Sequence, residues 1–218
     1  MEHSEHNQHG DHHEGSHNRG DHHCGVLLLA AGFSRRFGGV KLKALLPDGL
    51  TIFQKTLKNI LLVTDNVIVV GRKELKEDGV YDSLPASGKQ TLVLCEDAEA
   101  GMGQSLAFGI QQVPEHWQSV LICLADMPLV QASTLRELIQ GSGPDRILIP
   151  VFDQQRGQPV SFGRDFFNEL AQSHGDNGGR HIIRDHGHRV LEWPTRDRGI
   201  LIDIDTPETL AALTRTTA

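Results

Sequence analysis

From Val26 to Ala31 every residue is apolar, and at Gly32 the run breaks into a loop of small and basic residues. No other junction in the chain constrains its fold as strongly. An apolar run of this length reads as a short buried strand. A buried strand that opens into such a loop is how open α/β sheets present a ligand at the carboxyl edge of their strands. Gly32, Gly38 and Gly39 let the backbone approach a ligand closely and turn its N–H groups inward, a geometry suited to anions. Arg35, Arg36 and Lys41 add three positive charges. An oligophosphate would use all of these features. A plain glycine turn with solvated basic side chains is the competing reading, because short glycine-rich loops recur by chance.

The next segments extend the same logic. Leu42–Asp48 is apolar with a proline and is expected to run over the surface. Thr51 caps a predicted helix over 52–62, whose apolar residues 53, 57, 60 and 61 form one stripe. Residues 66–71 form a second buried strand. Strand, loop, helix and strand at this spacing make a βαβ unit, so the sheet is expected to be parallel with a right-handed crossover. The stretch 78–87 is poorly periodic, with Tyr81–Leu84 finishing a short helix. Further strands are expected at 91–95, 119–125 and 146–151, and helices at about 134–140 and 164–172. The last pieces are a strand within 199–204 and a helix capped by Thr206 with Pro207 at its first position. Frayed residues follow Leu213.

Three places beyond the opening loop carry candidate chemistry. Gly101-Met102-Gly103-Gln104-Ser105 leads into a helix, and a helix N-terminus after a glycine turn can receive an anion or a base edge. The strand 119–125 ends in Asp126-Met127-Pro128, which sets a carboxylate at the sheet edge, where it could hold a metal. Aspartates at strand ends are also ordinary turn formers. Asp203 and Asp205 are two positions apart and so share one face of an extended strand.

Composition enters mainly through the first residues. Met1–His23 contains eight of the thirteen histidines, at positions 3, 6, 9, 12, 13, 17, 22 and 23. With Glu2, Glu5, Asp11, Glu14 and Asp21 against Arg19 alone, it carries −4 of the net charge of −7. A segment with so little to bury is expected to be disordered. Its imidazoles and carboxylates suit Zn, Ni or Cu, although a solvated tail without a specific ligand explains them equally well. His181, His186 and His188 show no ligand spacing and read as solvated. Cys24, Cys95 and Cys123 are far apart, which excludes a CxxC metal or redox motif and fits a reducing compartment. No basic surface points to nucleic acid. No apolar run approaches a membrane span and no signal-peptide core is evident, so a cytoplasmic location is expected, without a membrane partner.

The resemblance that organises these pieces is carried by Leu29-Ala30-Ala31-Gly32-x-Ser34-x-Arg36-x-Gly38-x-x-Lys41. This stretch matches the L-A-[AG]-G-x-S-x-R-x-G-x-x-K signature of the MobA-like nucleotidyltransferases at every fixed position. Asp126-Met127-Pro128 resembles the family's metal motif, and Gly157-Gln158-Pro159-Val160-Ser161-Phe162 its G-x-P-x-x-F. Asp203-Ile204-Asp205-Thr206-Pro207-Glu208 resembles D-[ILV]-[DN]-T-P-E. Gly101-Met102-Gly103-x-Ser105, together with Gly175-Asp176-x-Gly178-x-Arg180 and Ala30-Ala31-Gly32, resembles the CTP:molybdopterin cytidylyltransferase branch. The departures are Gln158 in place of His, Gly179 in place of Ala and Phe37 in place of Met.

What the resemblance implies is a three-layer, Rossmann-like α/β nucleotidyltransferase domain over residues 24–213, with a mostly parallel central sheet, a tail over 1–23 and a frayed end over 214–218. Ala30, Ala31, Gly32, Ser34, Arg36, Lys41, Gly101 and Ser105 would bind the nucleotide. Arg36, Lys41 and Asp126 would be catalytic. Gln158, Pro159, Asp176 and Arg180 would bind the acceptor. Asp126, Asp205 and Asp203 would hold Mg²⁺, which accepts one or two carboxylates plus phosphate oxygens. The implied reaction moves CMP from CTP to molybdopterin and releases pyrophosphate. The implied partners are CTP, a phosphorylated acceptor, and a molybdoenzyme or its chaperone. Two alternatives remain open: the same reaction with GTP or on a sugar or polyol phosphate, and a non-catalytic, metal-binding assembly factor for a molybdoenzyme.

Overall fold

The structure, a computed structural model, describes residues 23–34, 36–85, 88–176 and 178–216. The histidine-rich tail over 1–22, Arg35, Ala86, Ser87, Asn177 and the last two residues lie outside the described residues.

Eight strands form one sheet: β1 (Cys24–Leu29), β2 (Val67–Gly71), β3 (Thr91–Leu94), β4 (Ser119–Leu124), β5 (Ile147–Phe152), β6 (Gln155–Arg156), β7 (Val160–Gly163) and β8 (Val190–Pro194). Their order is β3-β2-β1-β4-β7-β5-β6, with β8 on β5. The pairs β1–β2, β2–β3, β1–β4 and β5–β8 are parallel, and β7 runs antiparallel to both β4 and β5. The chain first builds outward from β1 to β2 and β3, then returns to lay β4 on the other side of β1. That reversal of strand order opens a crevice at the carboxyl ends of β1 and β4, where open α/β sheets bind ligands.

β1 shows why both sheet faces must be covered. Val26 and Leu28 point into one apolar cluster with Phe53, Leu57, Leu121 and Leu138, beneath α1 (Ile52–Leu61) and, further along the chain, α4 (Ala132–Gly141). Leu27 and Leu29 point into a second cluster on the opposite face. The helices there are α3 (Met102–Ile110), α5 (Phe167–Leu170) and α6 (Arg180–Asp185), which bring Leu106, Leu170 and Ile182. Successive strand residues alternate faces, so an uninterrupted apolar run supplies two cores at once. α1 begins where the sequence places it. Thr51 Oγ1 accepts from Gln54 N at 3.1 Å while Gln54 Oε1 accepts from Thr51 N at 2.9 Å, a reciprocal capping box.

The structure corrects several expectations. Residues 42–48 do not simply cross the surface, because Leu42 and Leu46 are buried in the first cluster. The short helix expected at Tyr81–Leu84 sits earlier, as α2 (Lys73–Glu77), and Tyr81 lies in a turn. The helix expected at 164–172 is a 3-10 turn followed by the short α5. α6 and β8 were not anticipated. The strand expected within 199–204 is absent: Arg198–Leu201 is a 3-10 turn, followed by an extended segment outside the sheet. Its backbone bonds go to loop ends instead, with Ile204 N donating to Asp126 O at 2.9 Å and Ile200 O accepting from Gln158 N at 2.9 Å. α7 (Pro207–Thr216) begins as expected, with Thr206 Oγ1 accepting from Thr209 N at 3.2 Å, and continues past Leu213. Among the described residues no helix is long and apolar enough to cross a membrane.

Candidate active site

A solvent-open cleft of about 440 Å³ lies at the carboxyl ends of β1 and β4. One wall is the loop that follows β1. Its root is fixed: Ala30 N donates to Val70 O at 2.8 Å, and the buried Tyr81 hydroxyl donates to Ala30 O at 2.9 Å. Farther along, Ser34 adopts φ 49° and Gly38 φ 73°. A left-handed serine is an uncommon, costly conformation that clusters at ligand sites. A Cβ at Gly32 or Gly39 would meet nothing within 4 Å, and neither residue has a left-handed φ. The folded chain therefore does not itself demand glycine there. The open space is what a ligand would need.

The charged centre of the cleft comes from three distant segments. Lys41 follows the loop, Asp126 follows β4, and Asp205 precedes α7. Lys41 Nζ donates to Asp126 Oδ2 at 2.6 Å and to Asp205 Oδ1 at 2.8 Å, and Arg36 reaches Asp205 Oδ2 at 2.5 Å. Burial pulls the Lys41 ammonium toward neutrality, but its two carboxylate partners outweigh that and hold its pKa above the ordinary lysine value. The hydrogen bond from Lys41, with the charges of Lys41 and Arg36, lowers the Asp205 pKa. Asp203 is raised, by burial first and then by the charges of Asp205 and Asp126.

Asp126 Oδ1 is buried and, among the described residues, accepts no hydrogen bond. Together with the hard oxygen donors of Asp205, it is the donor set a divalent cation such as Mg²⁺ or Mn²⁺ would complete. Among the described residues no group of three or more His, Cys, Asp or Glu side chains gathers at metal-binding spacing. Asp203 lies near enough to Asp205 and Asp126 to feel their charges, and the Lys41 ammonium stands between the two carboxylates it joins.

The position of Asp126 depends on residues that sequence reading overlooked. Thr56 Oγ1 donates to Ala125 O at 3.0 Å, and Asn59 Nδ2 donates to both Pro128 O and Val130 O at 3.0 Å. These two polar side chains interrupt the apolar face of α1, which was the available signal. A second brace is the buried Asp197. Its Oδ2 accepts from Gln131 N and Thr134 Oγ1, and its Oδ1 from Gly199 N, all at 2.8 Å. It ties the turn leading to Asp203 and Asp205 to the start of α4.

Ala30, Ala31, Gly32, Ser34, Arg36, Lys41, Gly101, Ser105, Asp126 and Asp205 all line the first cleft. At Gly101 the reason for glycine differs from that at Gly32. Its φ is 115°, and a Cβ there would lie 2.6 Å from the Gly175 backbone. Gly103 N donates to Gly175 O at 2.7 Å. Part of this helix N-terminus, read from the sequence as a ligand site, is thus taken by the 174–176 loop. Asp176, grouped by resemblance with the acceptor residues, lies on the first cleft.

A second cleft of about 490 Å³ adjoins the first across Leu29, Met102 and Leu124. Gln158, Arg180 and Asp203 line it, with Arg156, over an apolar floor that includes Ile122, Val160 and Phe162. Pro159 lines neither of these clefts. It is buried against Thr56, Asn59 and Met127, so the acceptor role expected of it is not supported by its place in the fold.

Comparisons with known proteins bear on the family and the fold. The profile of the MobA-like NTP transferase domain matches residues 26–190. The chain is 34% identical over 191 residues to the purine catabolism protein PucB of Bacillus subtilis, covering 84% of this chain and 91% of that one. It is 25% identical to a probable molybdenum cofactor guanylyltransferase of Methanosarcina mazei, over 62% of this chain and 60% of the other. Among solved structures, Rv0371c of Mycobacterium tuberculosis superposes with a TM-score of 0.77 at 27% identity, over 88% of this chain and 97% of that one. A manganese complex of Rv0371c superposes at 0.73 with 26% identity, over 89% and 99% of the two chains.

Proposed function

Because the chain belongs to the MobA-like NTP transferase family, we propose that it transfers CMP from CTP to molybdopterin and releases pyrophosphate. The observation that carries this reading is the convergence of Lys41, Asp126 and Asp205 on one cleft, beside a loop whose glycines leave ligand space open. The loop over 32–41 would cradle the triphosphate through backbone N–H groups, with Arg36 and Lys41 on the phosphate oxygens. Asp126 and Asp205 would hold Mg²⁺, which supplies charge neutralisation at the phosphates when bound.

The acceptor would enter the second cleft, where Arg156 and Arg180 offer cationic partners for its phosphate above an apolar floor. An acceptor phosphate oxygen then forms a bond to the α-phosphorus. The bond from that phosphorus to the β-phosphate oxygen breaks, and pyrophosphate departs with the electron pair. Catalysis of this kind is positioning plus electrostatics, so no nucleophilic side chain is required. Ala30-Ala31-Gly32 and the Gly101–Ser105 segment support cytosine as the base. Transfer of GMP from GTP is the second reading, favoured by the guanylyltransferase relative. The same chemistry in the service of purine catabolism is favoured by the Bacillus subtilis relative, which is matched over 91% of its length.

The deciding measurement offers α-labelled CTP or GTP with molybdopterin and Mg²⁺ and follows both pyrophosphate release and label transfer. Preferential use of CTP is expected. Preference for GTP would reassign the base, and no pyrophosphate from any nucleoside triphosphate would remove the transferase reading.

A further inference from the structure

The first residue after β2, Arg72, reaches across to the loop that walls the first cleft, although it lines neither cleft itself. Its guanidinium carbon lies 4.1 Å from the centroid of the Phe33 ring, well within cation–π range. Phe33 stands between Gly32 and Ser34, lines the first cleft and rests on the second apolar cluster. Only 15% of the Arg72 side chain is exposed, and it donates to the exposed Glu74 carboxylate at 3.2 Å. Arg72 Nε is buried and, among the described residues, has no hydrogen-bond partner. The face of Phe33 therefore carries much of the compensation for a charge largely withdrawn from water. The backbone of the same residue grips the loop at a second point. Arg72 N donates to the Tyr81 hydroxyl at 3.2 Å, and that hydroxyl donates to Ala30 O at 2.9 Å.

We propose that Arg72 is a positioning residue for the nucleotide, acting through Phe33 to hold the phosphate loop in its binding shape. The proposal rests on the nucleotide reading of the first cleft. Ser34, the next residue, has φ 49°, a left-handed conformation that persists only where its surroundings over-determine it. Phe33 is the anchor directly before that turn, and Ala30 is pinned shortly upstream of it. With the side chain and the backbone of Arg72 both engaged, the stretch 30–33 enters the turn from one fixed direction. The loop is then ordered before the ligand arrives. Preorganisation of this kind raises affinity by reducing the entropy that binding must remove. Without the guanidinium the ring is freed, and that ordering cost returns to the binding step.

The test measures binding of CTP with Mg²⁺ to the full chain by calorimetry, with GTP as the probe if the parent prefers it. Arg72→Met keeps the apolar stem and removes the charge, and is expected to weaken binding by about fivefold to tenfold. Phe33→Leu should weaken it at least as much, because that residue also lines the cleft. Phe33→Tyr keeps an aromatic face and should stay within about twofold of the parent. In the Phe33→Leu background, Arg72→Met should cost less than about twofold, since its partner is already gone. Arg72→Gln repeats the arginine arm should the Met variant melt early. An Arg72→Met chain that binds as the parent does, whatever its melting temperature, overturns the proposal and leaves the nucleotide cleft standing. So do equal losses from Arg72→Met in the two backgrounds, which would show that arginine and ring act separately. A parent that binds no nucleoside triphosphate overturns both readings.

Discussion

Asp126 and Asp205 accept hydrogen bonds from one and the same ammonium, that of Lys41, at 2.6 and 2.8 Å. Two carboxylates held this close repel, and the lysine that screens them is largely withdrawn from water. The arrangement concentrates negative charge beside the glycine-rich loop, where the proposed divalent cation would share it. Several measurable consequences derive from it.

Replacing Lys41 by Met removes the screen. The metal-free protein should lose about 1–3 kcal/mol, less than a fully buried pair would cost because both carboxylates keep some contact with water. The two exposed charges should then bind Mg²⁺ more tightly. The rise in melting temperature on adding Mg²⁺ is therefore expected to exceed that of the parent, while transfer activity drops by about 10²–10³-fold. An unchanged Mg²⁺ response would show that the two aspartates do not share an ion.

Asp126→Asn keeps the shape and removes the charge of the carboxylate whose Oδ1 is buried without a partner. Turnover should fall by about 10²-fold or more with the fold intact. EDTA should silence the parent, and either Mg²⁺ or Mn²⁺ should restore it. Steady-state rates across a metal titration decide the point.

Gly32→Ala and Gly101→Ala should separate ligand contact from folding. At Gly32 the added methyl enters empty space, so stability should hold within about 1 kcal/mol while nucleotide affinity drops at least tenfold. At Gly101 the methyl collides with the Gly175 backbone at a φ of 115°, and unfolding free energy should fall by roughly 1–3 kcal/mol. Calorimetric binding and urea unfolding of the pair read the two effects.

Asn59→Ala strips two donors from the carbonyls that follow Asp126, at a cost of about 2 kcal/mol. As a positioning residue it should lower kcat while leaving KM for the nucleotide within a few-fold. The reverse split, with KM rising and kcat preserved, would assign it to binding instead.

Tyr81 is the chain's only tyrosine, so its titration can be followed directly by ultraviolet absorbance. Burial pushes its pKa up to about 12. The folded state therefore keeps a proton that the unfolded state releases near pH 10, and the tyrosine's contribution is complete below that value. It should be lost between about pH 10 and 12 as stability falls with rising pH. Tyr81→Phe should flatten that part of the stability profile.

Much of the scaffold was legible because its signals are local. The uninterrupted apolar strands, the Thr51 capping box and the glycine-rich loop each depend on residues within one turn or one strand of each other. The two-core architecture is implied by the same runs, since a strand apolar at every position must be covered twice. The segment around Ile200–Ile204 misled for that same reason: its apolar pattern is strand-like, yet its backbone groups bond to Asp126 and Gln158 in the loops rather than to a strand. It lies across the loop ends instead, and its hydrogen bonds brace Asp126.

The sequence by itself determined which groups the chain can bring to chemistry: a glycine-rich basic loop after a buried strand, aspartates at candidate strand ends, and imidazoles gathered at one end. Only the tertiary structure decided which of those groups meet. The distance between Lys41 and the two aspartates it joins is set by how α1, α4 and the 197–205 segment pack on the sheet. Such long-range packing leaves no periodic trace in the chain, so the braces Thr56, Asn59 and Asp197 became recognisable only once the fold had brought their partners to them.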